Sequence, residues 1–448
     1  MGFSQKATLA VLLVVCLPSF ALADSPTTGE ELDTEGHETT SASAVPLTRD
    51  LDVSLILENY HAAIEKKEIE LGPYDLELSE MTYSLGRILQ ANLQYNEAIH
   101  AYKQSLHLQR VNNGVYSLSQ APMLRGLAES NEKQGSIREA SENYEKLLWI
   151  HLKTYGRNNA RLIPLLDEIG QWHLDTYATS RQREDGYHIS TAFDLYATAI
   201  ELTTQHHGPS NLELINPLRK MAITSYYFAL HQSLYPKFSE FGSLKPFGYR
   251  PLGTGTTSAY MLGRGSHYTR GRKAHNQILE ILSNNTQVAP SDKAKSYADF
   301  GDWYLLFGHQ KQAIQAYEKA HQIIEGDTQK QVVLNNLFGE PIMLPKRENQ
   351  PSTRATSSTK TMADDSNPVA PAHTTTFDSY IDLSVDVTPQ GRATNIKVKK
   401  VYPKEASEFE SRATNIIHSR KFRPRFESGL PVLTNAFPVR VLIPNENS

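Results

Sequence analysis

The chain has 448 residues, which is enough for two or three domains with a sizeable buried core. Its formal net charge of −4 at pH 7 argues against a nucleic-acid-binding protein. The single cysteine, Cys16, lies in the N-terminal segment, so removal of that segment leaves no disulfide, thiolate nucleophile or Cys-ligated metal.

Residues 1–23 are typical of a secretory signal peptide. Lys6 supplies the positive charge, a short apolar run follows, and Ala21-Leu22-Ala23 forms a cleavage site. The apolar run is shorter than the roughly 20 residues that span a bilayer. We expect export to the periplasm of a Gram-negative bacterium, with anchoring in the inner membrane by this segment as the alternative. Residues 24–49 are acidic and rich in Ser and Thr, which predicts a disordered arm.

A repeat with a period of 42 residues marks the region 50–232. One tyrosine and one glycine recur in phase in three successive units: Tyr60, Tyr102 and Tyr144, with Gly72, Gly114 and Gly156. Two residue types in phase over three units indicate a tandem repeat. In the next unit Tyr196 and Gly208 are both displaced by ten further residues. This displacement predicts an insertion around residues 179–187, which we expect in a loop between helices.

Apolar residues at helical spacing predict two amphipathic helices in each unit, with the tyrosine in the core between them. These positions resemble the tetratricopeptide repeat, in the long form also seen in kinesin light chains. The match is fullest in a further repeat at 268–330, at Tyr297, Phe300, Gly301, Tyr304, Gly308, Ala313, Tyr317 and Ala320. The resemblance implies an α-solenoid whose groove binds a helix or peptide of a protein partner.

Two segments interrupt this pattern. Residues 233–267 are rich in Gly, aromatic and basic residues without helical period, which is typical of a functional or solvated loop. Candidate ligand residues in and beside that loop are Arg264, His267, Arg270 and Arg272. Residues 331–376 contain a long stretch without large apolar residues, which predicts a linker between two independently folding parts.

Residues 377–448 predict a small α+β domain with the order strand, strand, helix, strand. The stretches DVTPQGRATNIKV, FESRATNIIHSRKFRP and ESGLPV resemble the C-terminal domain of TonB, the periplasmic end of a bacterial energy transducer. The resemblance covers Tyr380 to Pro444. It implies that an extended peptide, a TonB-dependent receptor or another component of the TonB system adds as a strand to the sheet edge.

The last predicted strand would supply that edge, and a basic run precedes it. The candidate partner-binding residues are therefore Phe437, Val439, Val441, Ile443, Arg420, Lys421 and Arg423. The basic run, which continues to Arg425, has two interpretations: solvated charges that complement the helix dipole, or attraction to anionic lipid or an acidic partner.

No motif for catalysis is present, since neither H-E-x-x-H nor G-x-S-x-G occurs. We therefore predict no catalytic, cofactor-binding or metal-binding residue. The sequence predicts a mostly α protein, a tetratricopeptide-repeat α-solenoid followed by a small α+β TonB-like C-terminal domain. Its expected function is a non-enzymatic periplasmic protein-interaction scaffold linked to TonB-type energy transduction or outer-membrane transport, with membrane association possible. The alternatives are a membrane-anchored TonB-family energy transducer and an envelope enzyme of unrecognised type.

Overall fold

The computed structural model describes residues 48–180, 185–235, 266–345, 380–403 and 409–442. The predicted signal peptide, nearly all of the acidic arm, and most of the irregular loop and of the linker lie outside the described residues. The chain divides into two compact units, one ending at Leu162 and the other beginning at Ile163. Among the described helices, none is both long and apolar enough to cross a membrane.

The first unit consists of helices that pack in consecutive pairs. These helices are α1 (Thr48–Leu71), α2 (Leu76–Ala91), α3 (Tyr95–Asn113), α4 (Ala121–Lys133) and α5 (Ile137–Tyr155). Helix α2 packs on α3, and α4 packs on α5. Gly114 ends α3 with φ 82° and Gly156 ends α5 with φ 78°. Glycine adopts this left-handed conformation without the steric cost that a Cβ brings, which explains its recurrence at the repeat boundary.

The second unit continues the helical pairs and then adds strands. Its helices up to residue 338 are α6 (Ile163–Ser180), α7 (Gly186–His207), α8 (Ile215–Leu234), α9 (His267–Asn284), α10 (Pro290–Leu306), α11 (Gln310–Ile323) and α12 (Lys330–Phe338). The pairs are α6 with α7, α8 with α9, and α10 with α11. The predicted helical repeats are therefore present in both units.

Three of the repeat tyrosines, Tyr102, Tyr196 and Tyr317, pack against a glycine on the preceding helix. A Cβ on Gly86 would lie 2.8 Å from the ring of Tyr102, and one on Gly301 would overlap the ring of Tyr317. Tyr102, Tyr144, Tyr196 and Tyr317 are all buried. The predicted core role is thus confirmed for these four tyrosines, whereas Tyr60 of α1 is only partly buried and its predicted core role is corrected.

The ten-residue insertion lengthens the helices more than the loop. Helix α6 has 18 residues against 13 in α4, and α7 has 22 against 19 in α5. These differences account for eight of the ten added residues, and residues 181–184 between the two helices lie outside the described residues. The expectation of a loop insertion is corrected for this reason. His173 of α6 and His188 of α7 meet in the core between these two helices, with their Nδ1 atoms 2.7 Å apart.

The C-terminal module, which we define as residues 380–442, is a three-stranded antiparallel sheet with one helix and a small hairpin. Its elements are β2 (Tyr380–Val387), β3 (Ala393–Tyr402), α13 (Glu410–Ser419), β4 (Lys421–Arg423), β5 (Arg425–Glu427), β6 (Leu430–Val432) and β7 (Thr434–Leu442). The sheet order is β3-β2-β7, and β5 pairs with β6. The buried side of the sheet packs on Ala413 and Ile417 of α13. A small C-terminal α+β region is therefore present, in the predicted element order.

The C-terminal module packs against the last helical repeat and is not a separate domain on a linker. Residues 330–344, largely assigned to the linker, form α12 and strand β1 (Ile342–Leu344). Strand β1 pairs with β4 of the module, and Phe426 of the module lies in the core of the last repeat. The prediction of independent folding is therefore wrong, because the two parts share buried side chains and a strand pair.

Candidate functional site

A polar network links the first helices of successive repeats in the second unit. Lys220 of α8 donates to both carboxylate oxygens of Asp167 on α6, each at 2.9 Å. Arg219, beside it, donates to Ser296 of α10 at 3.0 Å and lies 3.6 Å from the Asp299 carboxylate. The side chains of Asp167, Arg219 and Asp299 retain 33%, 25% and 22% of their exposure, so a partner can reach this surface.

The network ends at Arg423, which belongs to the C-terminal module and is fully buried. Its Nε and Nη2 donate to the two oxygens of Asp302 at 2.7 and 2.5 Å. Nη2 also reaches Asp299 at 3.3 Å, and Nη1 donates to the backbone oxygen of Leu337 at 3.2 Å. The planar guanidinium thus fills a pocket that presents an acceptor to each of its three nitrogens.

Burial of this ion pair is costly unless every polar group is satisfied. Burial disfavours the charged form of Arg423, but the Asp302 carboxylate outweighs it and holds the pKa of Arg423 above its usual range. Burial also raises the pKa of Asp302, a rise that the guanidinium opposes. The hydroxyl of Tyr317 donates to Asp302 at 2.9 Å, which gives the carboxylate a further donor. Losing one partner of such a pair costs roughly 3–5 kcal/mol.

An aromatic pocket lies next to the arginine pocket. The ring of Phe426 is 4.8 Å from Phe338 and 5.4 Å from both Tyr317 and His321. His321 stacks on Phe338 at 4.6 Å, and burial lowers the pKa of this imidazole. Offset and edge-on contacts of this kind each add about 0.5–1.5 kcal/mol beyond the area that they bury.

Strand pairing fixes the register between these two pockets. In the β1–β4 pair Ile342 lies opposite Arg423 and Leu344 opposite Lys421. Between β4 and β5, Pro424 breaks the strand, and Phe426 follows in a hairpin closed by Ser428 and Gly429, both with positive φ. Two successive residues with positive φ suit the twist of a two-residue hairpin turn.

The predicted partner-binding strand is at a sheet edge, but its candidate side chains face inward. Phe437, Val439 and Val441 are buried in the core of the C-terminal module. Their positions follow from the two-residue period of a strand, which puts alternate residues on the helix-covered face. The prediction that these three side chains contact a partner is corrected, since they are inside the core. Ile443 lies outside the described residues.

The free edge of β7 is also poorly equipped to accept a strand. Pro438 lies opposite Ser384, and a proline is accepted in a strand where its nitrogen faces away from the neighbouring strand. That position on the free edge therefore has no amide donor. The amide of Ala436 already donates a hydrogen bond to the Asp386 carboxylate at 2.8 Å, so it is not available to an added strand. Features of this kind disfavour the pairing of a further strand with a sheet edge.

The predicted basic run divides into separate environments. Arg420 follows the end of α13, and Lys421 pairs with β1. Arg425 lies 2.7 Å from Glu427 and is partly exposed. Arg423 is buried in the acidic pocket, so neither the solvated nor the lipid-facing interpretation holds for it. The carboxylates of Asp302 and Asp299, 121 and 124 residues away in sequence, explain this difference.

The candidate ligand residues near the irregular loop lie on helix α9 where they are described. His267 stacks on Phe228 at 5.3 Å, Arg270 lies 5.8 Å from the ring of Phe193, and Arg272 lies 5.6 Å from the ring of Tyr268. His267 and Arg272 contact rings of their own repeat and Arg270 contacts α7 of the preceding repeat, so the loop interpretation is corrected for these three residues. Arg264 lies outside the described residues.

The sequence analysis missed the residues that build both pockets: Asp299, Asp302, Leu337, Phe338 and Phe426. One available signal was the spacing of Ser296, Asp299 and Asp302, which are three residues apart and so share one face of α10. Within the described ranges no group of three or more His, Cys, Asp or Glu side chains is placed to hold a metal ion.

No family model matches the chain, and no curated protein is similar to it. The chain is similar to solved structures of helical-repeat proteins. BtubC (BKLC) from P. vanneervenii has 15% identity and a TM-score of 0.37, covering 72% of this chain and 100% of that one. A kinesin-light-chain-like protein of Podosopora anserina with nearly identical TPR-like repeats has 13% identity and a TM-score of 0.38, covering 57% and 99%. A single-substitution form of that protein has 14% identity and the same TM-score of 0.38, covering 57% and 96%.

Proposed function

We propose that the protein is a non-enzymatic protein-interaction scaffold of the periplasm, and that its C-terminal module links it to a TonB-type transport system. The observation that carries the scaffold function is the array of helical hairpins, whose first helices present partly exposed Asp167, Arg219 and Asp299. Stacked hairpins of this kind form extended surfaces that suit a bound helix or peptide.

Export and the TonB link are supported by the sequence. Residues 1–23 have the pattern of a signal peptide, and residues 380–444 carry the TonB-like stretches. The element order of the C-terminal module is compatible with that resemblance. Because the β7 edge is blunted and Arg423 is docked on the last repeat, we favour a scaffold over a transducer that binds peptides by strand addition.

Site-specific photocrosslinking in intact cells tests the scaffold function. A photoreactive residue at the exposed Asn216 of α8 probes the first-helix surface, and one at the exposed Lys319 of α11 is the matched control on a second helix. We expect a discrete protein adduct from position 216 and none from position 319. Equal labelling at both positions, or none at either, contradicts the proposed surface.

Cell fractionation separates the scaffold from a membrane-anchored transducer. We expect the protein to be released with the soluble periplasm, with an intact mass that lacks Met1 to Ala23. Retention in the inner membrane with the N-terminal segment still attached favours the transducer instead.

A further inference from the structure

We propose that helix α1 carries a dimer interface, and that its partner is the α1 helix of a second copy of this chain, packed antiparallel against it. The dimer goes beyond the scaffold function, since α1 is separate from the first-helix surface that is probed at Asn216. The proposal rests on an exposed row of side chains along α1 that is complementary to itself.

Helix α1 corresponds to the second helix of a repeat. Tyr60 lies 42 residues before Tyr102 of α3, in the same phase of the repeat. In four other repeats the residue four positions before the buried tyrosine is a fully buried alanine, namely Ala98, Ala140, Ala192 and Ala313. In α1 this position is Ile56, and its side chain is 44% exposed. The face that is covered in those repeats is therefore open in α1, and it carries a larger apolar side chain.

The sequence directly before α1 is not suited to cover this face. Residues 24–47 contain only three large apolar side chains, those of Leu32, Val45 and Leu47. An amphipathic helix needs an apolar residue at about every third or fourth position to cover another helix. Composition thus excludes the adjoining segment as the occupant.

The open face of α1 has the spacing of a coiled-coil seam. The α1 seam consists of exposed residues at alternating intervals of four and three: Leu55, Asn59, Ala62, Lys66 and Ile69. Ile56 and Ala63 flank it and are also exposed. Leu55 and Ile69 retain 56% and 80% of their exposure. Single exposed apolar residues are common, but a row of them along one helix face is typical of a surface that contacts another helix.

The α1 seam is complementary to an antiparallel copy of itself. With the two-fold axis between Asn59 and Ala62, Asn59 of each copy meets Ala62 of the other. Leu55 then meets the aliphatic stem of Lys66, whose ammonium group reaches solvent. Each larger side chain faces a small or flexible one, which allows close packing. The two-fold axis repeats every contact, so one patch serves both copies.

A parallel copy fits less well. It would place the two Lys66 side chains face to face and leave a gap between two Ala62 side chains. In the antiparallel pair the two Lys66 positions lie about 16 Å apart along the helix axis, at 1.5 Å per residue.

Asn59 fits the antiparallel pair for a further reason. Its two copies lie about 4–5 Å apart along the helix axis in that pair. A side-chain amide has both donors and an acceptor, so the two amides can form hydrogen bonds across the two-fold axis. An asparagine at such a seam position fixes the register and the number of helices, which favours a dimer with one geometry.

Sedimentation equilibrium of the purified protein between 1 and 100 µM tests the dimer. We expect a monomer–dimer equilibrium with a Kd on the order of 1–10 µM. High salt should strengthen the dimer, because Glu58 of one copy lies near Glu65 of the other and salt screens their repulsion. A protein that is monomeric at 100 µM overturns the proposal, and a helix of another protein would then be the occupant. A dimer that salt weakens also overturns it.

Substitutions locate the interface. Ile56→Glu should raise the Kd by about tenfold or more, because it places a carboxylate in the apolar contact. Val332→Glu is the matched control, since Val332 is a 61% exposed apolar residue on α12, and its Kd should equal that of the wild type. Ala63→Glu repeats the test in case Ile56→Glu perturbs α1, which circular dichroism detects. A dimer that survives both α1 substitutions contradicts the proposed interface.

Cysteine crosslinking tests the antiparallel geometry. In a chain with Cys16→Ser, the single-cysteine variants Asn59→Cys and Ala62→Cys are mixed in equal amounts and oxidised slowly by air. We expect about tenfold more of the mixed 59–62 disulfide than of the 59–59 and 62–62 disulfides together, because only the facing pair has its Cβ atoms close enough. A predominance of the 59–59 and 62–62 disulfides would show a parallel pair and overturn the proposal.

Discussion

The hairpin α2–α3 of the first unit and the hairpin α10–α11 of the second are built alike but are covered differently. Tyr102 is covered by the next repeat, where a Cβ on Gly126 would lie 2.5 Å from its ring. Tyr317 is instead covered by Arg423 and Phe426 of the C-terminal module. The C-terminal module thus takes the place of a further repeat.

The hydrogen bonds of the two tyrosines show the same difference. The hydroxyl of Tyr102 donates to the neutral side chain of Gln90 at 2.6 Å, whereas that of Tyr317 donates to the charged Asp302. Where repeats of the helical array meet, shape and apolar contact are joined by a partly exposed ion pair between Lys220 and Asp167. A repeat that meets an unrelated segment has a buried ion pair, which we interpret as fixing which segment binds and in which register.

The largest effect should come from removing the buried arginine. Arg423→Ala leaves Asp302 buried without its cation, and we expect the free energy of unfolding to fall by about 3–5 kcal/mol. Arg425→Ala, two residues away, removes a partly exposed pair with Glu427 and should cost less than about 1 kcal/mol. Urea unfolding of both variants measures the difference. Similar losses in the two variants would show that Arg423 has no special role.

The next effect should come from filling the space beside the tyrosine. Gly301→Ala places a Cβ against the ring of Tyr317, so the ring must move. We expect a loss of about 1–3 kcal/mol from overpacking. Gly326→Ala is the matched control, because a Cβ there meets nothing within 4 Å and the backbone is not left-handed. A control that is destabilised as much as Gly301→Ala would rule out the packing explanation.

The second unit should lose stability in mild acid. Burial lowers the pKa of His188 to about 3 and that of His275 to about 4, while an unfolded histidine titrates near 6.5. The unfolded state therefore binds more protons between pH 6.5 and 4, so stability falls as the pH falls through that window.

At pH 5 each such histidine should cost roughly 1–2 kcal/mol. Hydrogen exchange of α6 to α10 between pH 7 and pH 5 measures the loss, after correction for intrinsic exchange rates. His275→Gln should reduce the slope of stability against pH. An unchanged slope would mean that His275 does not titrate on unfolding.

The smallest effect concerns the first unit and has the opposite sign. Burial and the nearby Glu142 carboxylate raise the pKa of Glu145 to about 7. The native state then binds more protons than the unfolded state between pH 4.5 and 7, so this residue lowers stability as the pH rises. Glu145→Gln should stabilise the first unit by about 1 kcal/mol at pH 8 and by less at pH 5. An equal effect at both values would contradict this interpretation.

The repeats could be predicted from the sequence because their determinants are local. Tyr102 and Gly114 recur at a fixed period, and each packs or turns within its own hairpin. The position of the ten-residue insertion along the chain was predicted correctly, but the elements that it lengthens were not. A period cannot say whether added residues lengthen a helix or a loop, and here α6 and α7 are both longer than their counterparts α4 and α5.

The docked module could not be predicted in this way. The pair of Arg423 with Asp302 joins residues 121 positions apart and follows no period. A basic run after a helix is ordinarily solvated, and sequence alone does not reveal a distant carboxylate pocket. The edge strand was placed correctly, yet the inward direction of Val439 followed only once the covered face of the sheet was known.

The most direct test of the docked arrangement is cleavage of the segment between β1 and β2. A specific protease site is inserted within residues 346–379 of the full chain, which is cleaved after folding and analysed by size-exclusion chromatography. Because β1–β4 pairing, the Arg423–Asp302 ion pair and the Phe426 pocket hold the two parts together, we expect the two fragments to elute together at the volume of the intact protein. The same experiment with Arg423→Ala should release the C-terminal fragment. Separate elution of the two wild-type fragments would contradict the account.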